Sequence, residues 1–64
     1  MNISIEKLNL LLANNVMPMA KLSELSGISC VTLTRIKSGK QKPRPQTLGK
    51  IAHALGVKVE DLLQ

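Results

Sequence analysis

The sequence predicts an all-α fold, a single compact domain over residues 1–64 built from five short helices. Three observations lead there. Apolar residues recur at intervals of three and four, and no stretch alternates as a half-buried strand would. Helix-start residues (Ser4, Pro18, Ser29, Pro45) and helix-stop glycines (Gly27, Gly39, Gly56) divide the chain into short segments. The length is 64 residues, with 44% hydrophobic and 20% charged residues, which suits one small globular domain. Aromatic residues are absent, so the core must be Leu, Ile, Val, Ala and Met.

The elements follow in order. Ser4 is a good N-cap, and Glu6 falls in the first turn, where the helix dipole favours an acid. Ile5, Leu8, Leu11 and Leu12 recur at helical spacing, and Asn14-Asn15 ends the first helix. Pro18 occupies or precedes the first turn of the second helix, which places Met19, Leu22, Leu25 and Ser26 on one face. Gly27 ends that helix, Ile28 follows as a buried anchor, and Ser29 caps a third helix from about Cys30 to Ser38 with Leu33 and Ile36 inward. Lys40-Gln41-Lys42-Pro43-Arg44 reads as a basic loop. Pro45 starts the fourth helix, whose inner face is Leu48, Ile51, Ala52 and Leu55. Val57 packs back, and Val59 to Leu63 forms a short fifth helix with Glu60 and Asp61 in its first turn.

The net charge is +5, and its placement says more than its size. No acid stands between Glu24 and Glu60, while Arg35, Lys37, Lys40, Lys42, Arg44 and Lys50 fall in that interval. A one-signed field of this kind attracts a polyanion. Charge by itself fits a solvated basic face equally, and fits DNA, RNA and an anionic membrane alike.

Other classes of function find little support. A domain this small has no room for an active-site cleft beside its core, no Ser, His and acid fall in a triad arrangement, and no glycine-rich loop cradles a nucleotide. The expectation is a non-enzyme without cofactor, metal or small-molecule ligand. The lone Cys30 excludes an internal disulfide and suits a reducing compartment. No signal peptide or membrane span is expected, so the predicted location is cytoplasmic, on the nucleoid. His53 lacks companion ligands and reads as a solvated surface residue. Cys30 at a helix start suggests a redox switch, but no second cysteine accompanies it, and a small outward-facing side chain is the simpler reading.

The informative stretch is 19–38. Two short helices are joined through Gly27, with Leu22, Ile28, Leu33 and Ile36 as apolar anchors and the small Ser23 where the second helix of the pair crosses closely. The free face of that helix then carries Cys30, Val31, Thr34 and Arg35, with Thr32 and Lys37 flanking. The segments LSELSGISCVTLTRIKSG (Leu22–Gly39), KQKPRP and TLGKIAHALGVKVEDLL (Thr47–Leu63) resemble the lambda-repressor/Cro-type (XRE-like) helix-turn-helix regulators of bacteria and phage. The likeness extends from Leu8 to Leu63.

That resemblance implies a lambda-repressor-like DNA-binding fold and a transcriptional regulator of double-stranded DNA, a repressor or Cro-like protein, with helix three in the major groove. It assigns base reading to Cys30, Val31, Thr34 and Arg35, with Arg35 forking onto guanine O6 and N7. The competing reading of Arg35 is a phosphate contact or a surface ion pair. Ser29, Thr32, Lys37, Lys40, Lys42 and Arg44 suit phosphate oxygens, as do open N–H groups at the starts of helices two and four. Relatives dimerise through the C-terminal part, which here implies a homodimer surface at Val57, Lys58, Val59 and Leu63.

Three positions depart from the family pattern. Met19 stands where a polar phosphate-touching side chain is usual. Leu12 and Lys37 replace both members of an Arg–Glu pair, so no lone buried charge is left behind. Cys30 replaces the usual polar or basic first reader, which shifts recognition towards apolar contacts and shape. Leu10, Met17 and Met19 are expected to face outward, as scattered apolar side chains or as a docking patch. The patch reading is an antitoxin or accessory protein with a protein partner and secondary DNA binding. Nonspecific cationic binding to RNA or lipid is a third reading, disfavoured by the ordered Gly27 turn and the full set of anchors.

Overall fold

The computed structural model describes residues 2–64. It comprises α1 (Ile5–Asn14), α2 (Met19–Ser26), α3 (Cys30–Lys37), α4 (Pro45–Leu55) and a short 3-10 helix (Val59–Leu62). The predicted order holds, with α3 and the fifth element each ending one residue before the expected Ser38 and Leu63. The fifth element is a tight 3-10 turn, in which the Lys58 N–H donates to the Asp61 carboxylate at 3.2 Å.

Local chemistry accounts for the helix ends. The Ser4 hydroxyl accepts from the Lys7 N–H, and the Ser29 hydroxyl accepts from the Thr32 N–H, each at 3.2 Å. Each removes one of the donors that a helix start leaves open. α2 ends at Gly27, whose φ of 74° is costly for a residue with a Cβ.

The core is aliphatic, as the composition requires. Leu8 and Leu12 of α1, Leu22 of α2, Leu33 and Ile36 of α3, and Leu48, Ile51, Ala52 and Leu55 of α4 are buried together with Leu62. No polar or charged side chain is buried among the described residues. α2 packs against both α3 and α4, and α1 packs against α3 and the 3-10 helix. α3 is thus held by α1 and α2 and leaves its remaining surface open.

Three side chains differ from their expected orientation. Leu25 was expected inward and is 50% exposed. Met17 and Met19 were expected outward and are half-buried against the core. α2 has eight residues, little more than two turns, so a small rotation changes which flank residues are covered.

The two ends of the chain are tied together. Ile3 and Leu63 form an isolated antiparallel bridge, with the Ser4 N–H donating to the Leu62 carbonyl at 2.7 Å and the Gln64 N–H to the Asn2 carbonyl at 3.0 Å. Lys7 Nζ donates to the Leu63 carbonyl at 2.8 Å, fastening α1 to the same segment.

Candidate nucleic-acid interface

α3 buries Leu33 and Ile36 almost completely. At 3.6 residues per turn, Cys30, Val31, Thr34 and Arg35 then spread over about 140° of the opposite side. All four are exposed, Val31 by 61%. Their outward placement costs the core nothing, because the anchors alone hold the helix. Cys30 leans towards α2, its Sγ 4.0 Å from the Met19 carbonyl oxygen, so Val31, Thr34 and Arg35 form the outermost part of the face.

The flanking residues differ in what they can donate. Ser29 Oγ accepts from the Thr32 N–H and donates to Thr32 Oγ1 at 2.9 Å. The hydroxyl–hydroxyl bond uses one of the pair's two protons, which leaves the other for a phosphate. Lys37, Lys40, Lys42 and Arg44 are exposed. The chain reverses directly after α3 through bonds from the Gly39 N–H to the Ile36 carbonyl and from the Lys40 N–H to the Arg35 carbonyl, at 3.1 and 2.9 Å. This reversal brings Lys40 beside the last turn of α3. Lys42 borders a cleft with Asn2, Ile3 and Gln64.

α2 and α4 begin without a side-chain cap, at Pro18 and at Arg44-Pro45. The first N–H groups (Met19 and Ala20, Gln46 and Thr47) therefore have no side-chain oxygen to answer them. Two such helix starts favour an anion by both hydrogen bonding and dipole. Met19 contributes a backbone donor here and no polar side chain.

Leu12 and Lys37, the positions of the replaced ion pair, border one surface groove. Leu12 is buried and Lys37 exposed, so the exchange leaves no charge without solvent. At the C-terminal end, Val57 and Val59 are half-buried against the core, Leu63 is half-buried in its bridge to Ile3, and Lys58 is exposed. Val57, Lys58 and Val59 are consecutive and Leu63 follows the 3-10 helix, and the fold itself already covers part of their apolar surface.

Two serines of α2 bind the turn that leads into α3 through their hydroxyls. Ser23 Oγ donates to the Ile28 carbonyl at 2.6 Å, and Ser26 Oγ accepts from the Ile28 N–H at 3.2 Å. Small size was the role expected of Ser23, and its hydroxyl is engaged as well. The signal was present: Ser23, Ser26, Ser29 and Thr32 place a hydroxyl at every third residue across the turn.

A family model for the Cro/C1-type helix-turn-helix DNA-binding domain matches residues 7–64. No curated protein and no solved structure gives a significant match to the chain. Among the described residues, no helix is long and apolar enough to cross a membrane. With nearly its whole length covered by that match, the chain belongs to the Cro/C1-type helix-turn-helix family of DNA-binding domains.

Proposed function

We propose that this DNA-binding transcription regulator is a sequence-specific repressor of the Cro-like kind, which binds a short operator as a homodimer. The observation that carries this reading is the open face of α3. Cys30, Val31, Thr34 and Arg35 are exposed on a helix pinned from behind by Leu33 and Ile36. Inserted in the major groove, Val31 meets a thymine methyl, Thr34 reads a donor or acceptor, and Arg35 forks onto guanine. Thr32, Lys37, Lys40, Lys42 and Arg44, with the uncapped starts of α2 and α4, hold the phosphates and fix the register. Ser29 and Thr32 share one hydroxyl–hydroxyl bond, and the proton left free by it serves the phosphates. Repression follows from occupancy of the groove and needs no catalytic step or cofactor.

A two-fold dimer reads half-sites about one turn of DNA apart, and Val57, Lys58, Val59 and Leu63 are the surface proposed for it. The alternative, a protein-binding accessory role, draws on Leu10, which is 57% exposed on α1. It loses Met17 and Met19, which are half-buried against the core.

A salt titration tests the reading. If about five phosphates are contacted, log affinity falls against log salt with a slope of roughly −4 to −5. A flat response, or equal affinity for the selected duplex, RNA and acidic vesicles, contradicts it.

A further inference from the structure

Ile28 is the one residue between the left-handed Gly27, which closes α2, and Ser29, which caps α3. It is held at three points. Its side chain packs against the core, its N–H is taken by Ser26 Oγ, and its carbonyl by Ser23 Oγ. Both serines belong to α2, so the peptide groups that set the direction of α3 are tied to the preceding helix by side chains. Ser29 continues the pattern into α3 by capping it. Ile28 alone separates the end of α2 from the cap of α3, and turning α3 at Ile28 displaces the carbonyl that Ser23 holds.

From this geometry we infer that Ser23 and Ser26 are positioning residues for base recognition: they fix the angle of α3 without themselves touching DNA. The inference rests on the proposed reading of DNA by α3. The Ser23 bond is the shorter and carries the larger share. A hydroxyl also explains more than smallness does, since alanine would satisfy a close crossing equally well. The two bonds act on opposite sides of one peptide unit pair, so losing either leaves α3 attached by the other and by the Ile28 side chain. The expected defect is therefore misalignment of a folded domain.

The experiment compares wild type with Ser23→Ala and Ser26→Ala, and with Ser26→Asn, which keeps an acceptor oxygen. Affinity is measured for a duplex selected from a random pool and for its scrambled counterpart, at a temperature where circular dichroism shows every variant folded. Loss of one net hydrogen bond predicts that Ser23→Ala lowers the preference for the selected duplex by about 3- to 10-fold, with affinity for the scrambled duplex and the salt slope unchanged. Ser26→Ala should show a smaller loss, and Ser26→Asn should restore part of it. In the free proteins, residual dipolar couplings of Cys30–Lys37 should fit the wild-type orientation poorly in Ser23→Ala, while those of α1, α2 and α4 fit as before. An unchanged preference together with unchanged α3 couplings overturns the positioning role. If wild type itself shows no preference between duplexes, the reading of DNA by α3 fails instead, and the dipolar couplings still decide whether the serines orient the helix. If Ser23→Ala does not fold, Ser26→Ala and its asparagine rescue decide the matter in the same way.

Discussion

The turn from α1 to α2 and the turn from α2 to α3 have much in common and are built to different standards. Each passes through one residue in the left-handed region, followed within two residues by the next helix or its cap. At the second turn that residue is Gly27, and both peptide groups of the following residue are answered by serine hydroxyls. At the first it is Val16, at φ 48° and 87% exposed, and α2 then starts at Pro18 with no side-chain cap. The backbone bonds at the end of α1 are sound: the Val16 N–H reaches the Ala13 carbonyl at 3.1 Å and the Met17 N–H the Leu12 carbonyl at 2.9 Å. The same pair of bonds closes α3 at Gly39 and α4 at Gly56. Only at α1 does a β-branched residue occupy the position that favours glycine. The difference teaches where geometry matters to this molecule. The turn that aims α3 has glycine at its left-handed position, and serine hydroxyls hold Ile28 on both sides. The turn that opens α2 tolerates strain, and leaves N–H groups available for an anion.

Exchanging the two left-handed residues breaks this comparison most sharply. Gly27→Val puts a β-branched side chain at φ 74°; a Cβ there meets no other atom within 4 Å, so the cost is confined to the backbone. We expect a loss of about 2 kcal/mol and a fall in Tm of roughly 10 °C by calorimetry. A Tm within about 2 °C of wild type would show that the turn is not held in the left-handed form. Val16→Gly should act in the opposite direction. Relief of strain outweighs the added chain entropy of glycine by about 0.5–1 kcal/mol, raising Tm by a few degrees. The two turns share no hydrogen bond, so the double exchange should equal the sum of the single effects.

Most of the fold was legible because it rests on local rules. Ser4, Ser29 and Pro45 mark helix starts, Gly27 and Gly56 mark ends, and the spacing of Leu48, Ile51, Ala52 and Leu55 gives the phase of α4 directly. What was missed depends on geometry that local spacing does not carry. The bridge between Ile3 and Leu63 joins the two ends of the chain and leaves no local pattern. Leu25 and the two methionines lie on a helix and a loop too short to fix a phase. Val16 gave no warning, since its conformation is imposed by the reversal between two helices against the preference of its side chain. Within the candidate interface, the outward face of α3 followed from the burial of Leu33 and Ile36. The bond between the Ser29 and Thr32 hydroxyls did not, because it depends on the side-chain rotamers at the start of α3.

The central claim is that the exposed side of α3 reads base edges. The most direct measurement is the binding of Arg35→Ala to a selected duplex and to its scrambled counterpart at one salt concentration. The account predicts a loss of about 1–3 kcal/mol on the selected duplex, with base preference flattened at one position and little change on the scrambled one. An equal loss on both would mean that Arg35 meets only phosphate, and no loss on either would place the DNA elsewhere on the molecule.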